Sequence, residues 1–271
     1  MAESREERAL GANGPPPAVD LFLFMGQSNM AGRGVSDAAH PQTAPALLPG
    51  AGYEYRAVSA PDCLYPIAEP FGYAEDRPGG IDDLGMKTGS MATAFANAYF
   101  LGTGVPIVGI SASKGGSRIS QWQPGGAYLS DTITRLKSAE AFLQRSGCLI
   151  RRRCMLWCQG ESDGDAGTGR AEYVRSFVRM EEAMRREGVE LCFLVRIGHY
   201  NGGEAVDYGE IQAAQEQLAR ERPGVVMVSR GFSGMKARGW MKDMFHYYQA
   251  AYNEIGTEAG RNAAKTVCPV V

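Results

Sequence analysis

The 271-residue sequence predicts an α/β fold, a three-layer doubly wound sandwich around a central parallel sheet of about five strands. Two observations carry this. Five short apolar runs, bounded by turn residues, are nearly continuous rather than alternating, as strands buried on both faces must be. Between and after them lie longer stretches with helical periodicity, and strand–helix alternation of that kind is wound by right-handed crossovers.

The strands are expected at Asp20–Met25, Val105–Ser111, Cys154–Cys158, Glu190–Ile197 and Val225–Ser229. The helices are expected at about Ser90–Leu101, Ala127–Arg145, Arg170–Glu187, Tyr208–Glu221 and Tyr247–Ala264. In the third, Tyr173, Phe177, Met180 and Met184 recur every three or four residues, with Arg and Glu between them. The run Arg151–Arg153 reads as a solvated strand entrance. Residues 1–17 are polar and rich in Pro and Gly, which predicts disorder; 18–271 read as a single domain. The stretch of about 32–89, rich in Pro, Gly, Ala and Tyr, is too long for an idle loop. It is expected to hold a small hairpin and a wall facing substrate, with a decorative insertion as the alternative.

Composition excludes several classes. A net charge of −2 provides no general attraction for nucleic acid or anionic membrane, and no apolar run approaches the ~20 residues of a membrane span. The N-terminus lacks the basic-then-apolar pattern of a secretory signal, so a cytoplasmic location is expected, with secretion left open if the native start was trimmed. Six cysteines in this length are not a disulfide framework. Cys154, Cys158 and Cys192 lie in apolar runs as small hydrophobes, and neither metal nor cofactor is called for.

Ligands of open parallel sheets bind beyond the carboxyl ends of the strands. Polar, Gly-associated clusters follow four of the runs: Gly26-Gln27-Ser28-Asn29-Met30, Lys114-Gly115-Gly116-Ser117-Arg118, Gln159-Gly160-Glu161-Ser162-Asp163 and Gly198-His199-Tyr200-Asn201. A serine nucleophile needs a base within hydrogen-bond reach and an acid to orient it. Of the three histidines, His40 sits in the long insertion and His199 follows the fourth run. His246 lies in Asp243-Met244-Phe245-His246, a spacing that lets Asp243 hold the imidazole tautomer whose free nitrogen faces serine. Backbone N–H groups of Ser28 and Gly116 and the side-chain amide of Gln159 are the candidate oxyanion donors. Glu161 is an alternative or supporting acid; the other reading makes it a buried carboxylate bonded to backbone N–H groups of the first loop. Gln27, Asn29, Arg118 and Trp122 are candidate substrate contacts, Trp122 by stacking on a sugar face or else by packing under the insertion. Arg33 and Tyr200 carry no assigned role.

Four of these blocks, Gly26-Gln27-Ser28-Asn29-Met30-Ala31-Gly32, Gly115-Gly116-Ser117, Gln159-Gly160-Glu161-Ser162-Asp163 and Asp243-x-x-His246, resemble those of sialate O-acetylesterase-type proteins. That group belongs to the SGNH-hydrolase superfamily, has a flavodoxin-like architecture and includes the acetylxylan esterases of carbohydrate esterase family six. The likeness runs in order from about Val19 to the C-terminus. It implies a Ser28–His246–Asp243 triad, an oxyanion hole of Ser28, Gly116 and Gln159, and hydrolysis of O-acetyl esters on small-molecule or oligosaccharide substrates. The rival readings are a short-chain arylesterase or lipase-type hydrolase, a non-catalytic carbohydrate-binding protein, and a phosphate binder. Oligomeric state is not legible.

Overall fold

In a computed structural model, the structure describes residues 16–203 and 206–268. The N-terminal segment expected to be disordered therefore lies outside the described residues, apart from Pro16 and Pro17. The carbonyl of Pro17 accepts a hydrogen bond from Leu149 N (3.0 Å).

The strands are β1 (Ala18–Gly26), β2 (Gly52–Tyr55), β3 (Leu64–Pro66), β4 (Ile107–Ser113), β5 (Leu149–Cys158), β6 (Leu191–Val195) and β7 (Val225–Ser229). They form one sheet in the order β3-β2-β4-β1-β5-β6-β7. Neighbours are parallel throughout, except the antiparallel pair β2–β3. The sheet thus has seven strands rather than about five. The two extra strands are the hairpin of the long insertion, which docks through β2 on β4 and extends one edge.

The helices are α1 (Ser28–Ala31), α2 (Ala92–Thr103), α3 (Ala127–Arg145), α4 (Glu161–Asp165), α5 (Arg170–Arg186), α6 (Gly209–Glu221) and α7 (Gln249–Val267). Period-two alternation along β1 divides the core. Leu21, Leu23 and Met25 pack with Leu136 of α3, Phe177 of α5 and Ile211 of α6 on one face. Phe22 and Phe24 pack with Phe95 of α2 and Tyr252 of α7 on the other. Helices α2 and α7 approach closely because α7 carries glycine at the contact. A Cβ at Gly260 would lie 2.4 Å from the Phe95 carbonyl oxygen, and one at Gly256 2.5 Å from that of Met91. The described helices include none long and apolar enough to cross a membrane.

The insertion has little regular structure, so its backbone polar groups need other partners. Carboxylates supply them. Glu75 accepts from Val58 N and Ser59 N, Glu69 from Phe71 N and Ser90 N, and Asp131 of α3 from Ile81 N. Arg135, fully buried on α3, donates to the carbonyls of Ser111 in β4 (3.0 Å) and Glu75 in the insertion (2.8 Å) and pairs with Asp131. Lys87 reaches the Gly72 carbonyl at 2.6 Å. These buried charges fasten the insertion to the sheet, and its far end forms a wall above the strands.

Candidate active site

After β1 the chain runs to β2 and β4 on one side, and then crosses to β5 on the other. Crevices form where such connections diverge. Gly26 ends β1 at φ 139°, and a Cβ there would lie 2.0 Å from the Cys158 carbonyl oxygen. Glycine therefore lets the ends of β1 and β5 converge, with Gln27 N donating to that same carbonyl at 3.0 Å. Ser28 follows as the first residue of α1. Beyond β4, Lys114 N bonds the Gly26 carbonyl (2.9 Å), which brings Gly115 and Gly116 beside Ser28.

The histidine arrives from the far end of the chain on a tight turn. Met241 bridges Tyr247, and Lys242 N donates to the His246 carbonyl. Asp243 Oδ1 accepts from the backbone N–H groups of Phe245 and His246, both at 2.7 Å. Its other oxygen lies 2.9 Å from His246 Nδ1, and His246 Nε2 lies 2.9 Å from Ser28 Oγ. Three residues separated by up to 218 positions thus form one hydrogen-bonded chain. His199 is exposed and His40 stacks on Tyr248, its ring centroid 3.7 Å away; neither lines the Ser28 cavity.

Asn29 holds this turn to the floor of the site. It is fully buried, and its Nδ2 donates to the Phe245 carbonyl (3.2 Å) and to Glu161 Oε1 (2.5 Å). Its Oδ1 accepts from the Tyr252 hydroxyl at 2.6 Å. Asn29 is therefore a brace between α1, α4, α7 and the histidine turn, not a substrate contact. Glu161 meets this side chain of the first loop rather than the loop's backbone N–H groups, and its Oε2 is buried with no side-chain hydrogen bond among the described residues. Burial raises its pKa to about 7, against the lowering effect of the Asn29 bond.

Besides that of Asn29, the expectations for Gln159 and Trp122 change. Gln159 is fully buried and does not line the cavity. Its Nε2 donates to Asp163 Oδ2 (2.5 Å) and the Ser117 carbonyl (2.9 Å), while its Oε1 accepts from the Tyr173 hydroxyl (3.0 Å). The amide is spent among buried partners, and its Nε2 also donates to Gln27 Oε1 at 3.3 Å. Trp122 is likewise buried, its Nε1 donating to Ser117 Oγ at 3.0 Å and its ring packed edge-on to Trp157; no sugar reaches it. Arg118 is exposed but lies outside the cavity wall.

Gln27 does line the cavity. Its Oε1 accepts from Gly160 N (3.0 Å), which leaves Nε2 toward Ser162 Oγ at 3.4 Å. The backbone N–H groups of Ser28 and Gly116 have no acceptor among the described residues. Gly116, at φ 70°, leaves open space where a side chain would stand.

The cavity measures about 420 Å³. Besides Ser28, His246 and Gly116, its walls include residues given no role by the sequence. Arg33 and Asp83 form a buried ion pair at 2.5 Å, and Asp83 Oδ1 accepts from Gly115 N at 2.8 Å, so the insertion clasps the Gly115–Gly116 turn. Leu84 and Met86, 80% and 58% exposed, form an apolar wall. Ser162 and Asp165 of α4 form a polar one.

Burial lowers the His246 pKa below the usual imidazole value, more than the Asp243 bond and charge raise it, and the charges of Lys242 and Arg33 lower it further. Asp243 is also held low: burial raises it, but the N–H groups of Phe245 and His246 and the imidazole bond outweigh that. A base must be neutral to accept a proton. Activity is therefore expected to persist to a pH below the ordinary histidine range and to fall as His246 protonates. A pH profile of kcat/KM checks this; an acid limb displaced upward would contradict it.

Residues 18–265 match the family described as carbohydrate esterase, sialic acid-specific acetylesterase. The chain belongs to this family. It is a carboxylic ester hydrolase. A probable carbohydrate esterase of Arabidopsis thaliana is 23% identical over 266 residues, spanning 94% of each chain. The X-ray structure of an Arabidopsis thaliana protein matches this esterase at a TM-score of 0.67 and 23% identity, covering 93% of this chain and 99% of that one. A carbohydrate acetylesterase from Xanthomonas citri matches at a TM-score of 0.58 and 18% identity, over 91% of this chain and 57% of its own. At such identities these two structures establish the shared fold of the esterase, and its chemistry rests on the family and on the residues above.

Proposed function

We propose that the protein hydrolyses O-acetyl esters on carbohydrates, with Ser28 as nucleophile, His246 as general base and acid, and Asp243 as the orienting carboxylate. The observation that carries the reading is the 2.9 Å contact of Ser28 Oγ with His246 Nε2, backed by the 2.9 Å contact of Nδ1 with Asp243. Ser28 Oγ attacks the acetyl carbonyl carbon and passes its proton to His246 Nε2. The negative charge on the carbonyl oxygen is met by the N–H groups of Ser28 and Gly116; the side-chain amide that reaches the cavity beside them is that of Gln27. Collapse breaks the bond to the sugar oxygen, which takes the proton from His246, and leaves acetyl-Ser28. Water then repeats the sequence with His246 as base, releasing acetate and restoring the hydroxyl.

A second reading, a short-chain esterase with loose acyl preference, draws support from the apolar wall of Leu84 and Met86. Rates on p-nitrophenyl acetate, butyrate and octanoate, beside acetate release from acetylated xylo-oligosaccharide, separate the two. The acetyl-sugar reading expects kcat/KM to fall from acetate to octanoate, with acetate released from the sugar. A preference rising toward octanoate overturns it.

A further inference from the structure

We propose that Asp165, seconded by Ser162, is the sugar-recognition element of this site, its carboxylate accepting hydrogen bonds from hydroxyls of the acetylated ring. The inference rests on the acetyl-sugar reading and names a residue that reading does not require. Ser162 and Asp165 are three residues apart on α4, a spacing that puts two side chains on one face, and both line the cavity that holds Ser28 and His246. The turn is fixed relative to the nucleophile. Ser162 N donates to Gln27 Oε1 and Ser162 Oγ lies 3.4 Å from Gln27 Nε2, and Gln27 directly precedes Ser28.

Asp165 itself is half committed. Its Oδ1 accepts from the hydroxyl of Tyr208 at 2.8 Å, and the Tyr208 ring is buried, so the carboxylate is held from behind by a rigid group. Its Oδ2 has no hydrogen-bond partner and the residue no ion pair among the described residues. The cavity's guanidinium, Arg33, is already spent on Asp83. An oriented, un-neutralised carboxylate is an acceptor without donors of its own. Neighbouring ring hydroxyls of a sugar are paired donors without charge. Bonds between the two are charge-assisted, and they are available to no ester whose alcohol lacks hydroxyl groups. The opposite wall, Leu84 and Met86, gives the apolar face of a ring a place to lie.

The test compares two substrates, an O-acetylated xylo-oligosaccharide and p-nitrophenyl acetate, whose alcohol has no neighbouring hydroxyls. In Asp165→Ala the ratio of kcat/KM for the sugar ester to that for p-nitrophenyl acetate is expected to fall about ten-fold or more, mainly through a higher KM for the sugar. Asp165→Asn, which keeps the shape and loses the charge, is expected to lower it in the same direction. Asp165 is exposed, and circular dichroism verifies that each variant keeps its fold although the Tyr208 hydroxyl bond changes. A ratio that does not move in Asp165→Ala overturns the assignment. A wild-type protein that cleaves p-nitrophenyl acetate but releases no acetate from the sugar is a different result: it sinks the functional reading, and this inference with it.

Discussion

Alanine at Ser28 is expected to lower kcat by about a million-fold, with the fold unchanged. That loss corresponds to about 8 kcal/mol of barrier and reflects the removal of the covalent route, not of one contact. The serine hydroxyl has one hydrogen-bond partner among the described residues, the imidazole of His246. Truncating it therefore costs the structure little. His246→Ala is expected to cost nearly as much on its own, because a serine hydroxyl without its base is a poor nucleophile at neutral pH. The double variant should be little worse than either single one, since the two groups act as a unit and their losses do not add. What survives would come from the N–H groups of Ser28 and Gly116, which no side-chain substitution removes. Steady-state hydrolysis of p-nitrophenyl acetate, with circular dichroism to verify folding, measures all three. Ser28→Ala retaining a tenth of wild-type turnover would mean that another group attacks the ester.

The parallel core and the Asp243–His246 turn were legible because both leave local marks. A strand buried on both faces reads as a near-continuous apolar run, and the run at Asp20–Met25 lies in β1, where each of its residues is buried. The Asp243–His246 spacing closes a turn whose backbone N–H groups bind the same carboxylate that holds the ring, so three residues specify their own geometry. The insertion left no such mark. Its hairpin joins the sheet through β2 on β4, and Asp83 reaches Arg33 and Gly115 across 50 and 32 positions. Long-range pairs of that kind have no period. The exchange of Gln27 for Gln159 at the cavity has a similar cause. Both amides follow strands at the same sheet edge, and the sequence does not reveal which way each turns. Gly160, at φ 150°, redirects the chain after β5 and leaves Gln159 beneath Tyr173 and Gln215, where its polar atoms are satisfied by buried partners. Trp122 went the same way: a large ring gains more from the core against Trp157 than from the rim, provided its N–H finds an acceptor, and Ser117 supplies one.

Asp243→Asn and Glu161→Gln are expected to differ by orders of magnitude, and the difference identifies the acid. Asp243 accepts three hydrogen bonds, two from backbone N–H groups on Oδ1 and one from His246 Nδ1 on Oδ2. An asparagine must keep its oxygen toward the two backbone donors, which turns its NH2 toward Nδ1. That favours the tautomer with the proton on Nε2, and such an imidazole cannot take the proton of Ser28. A fall of about 10,000-fold in kcat is expected from this change of tautomer alone. Glu161 makes no hydrogen bond to the imidazole, and its contact is Asn29. Burial raises its pKa to about 7, which favours the neutral form that glutamine resembles. Glu161→Gln keeps an acceptor for Asn29 and is expected to cost about ten-fold or less, through slackening of the Asn29 brace on the Phe245 carbonyl. Its pH profile should also lose any inflection near pH 7 that the glutamate contributes, while the lower limb set by His246 remains. Kinetics of both variants from pH 5 to pH 9 decide the matter. Were Glu161→Gln inactive and Asp243→Asn active, the carboxylate that serves the histidine would be the buried one, and the 2.9 Å pair of Asp243 and His246 would be no more than the fastening of a turn.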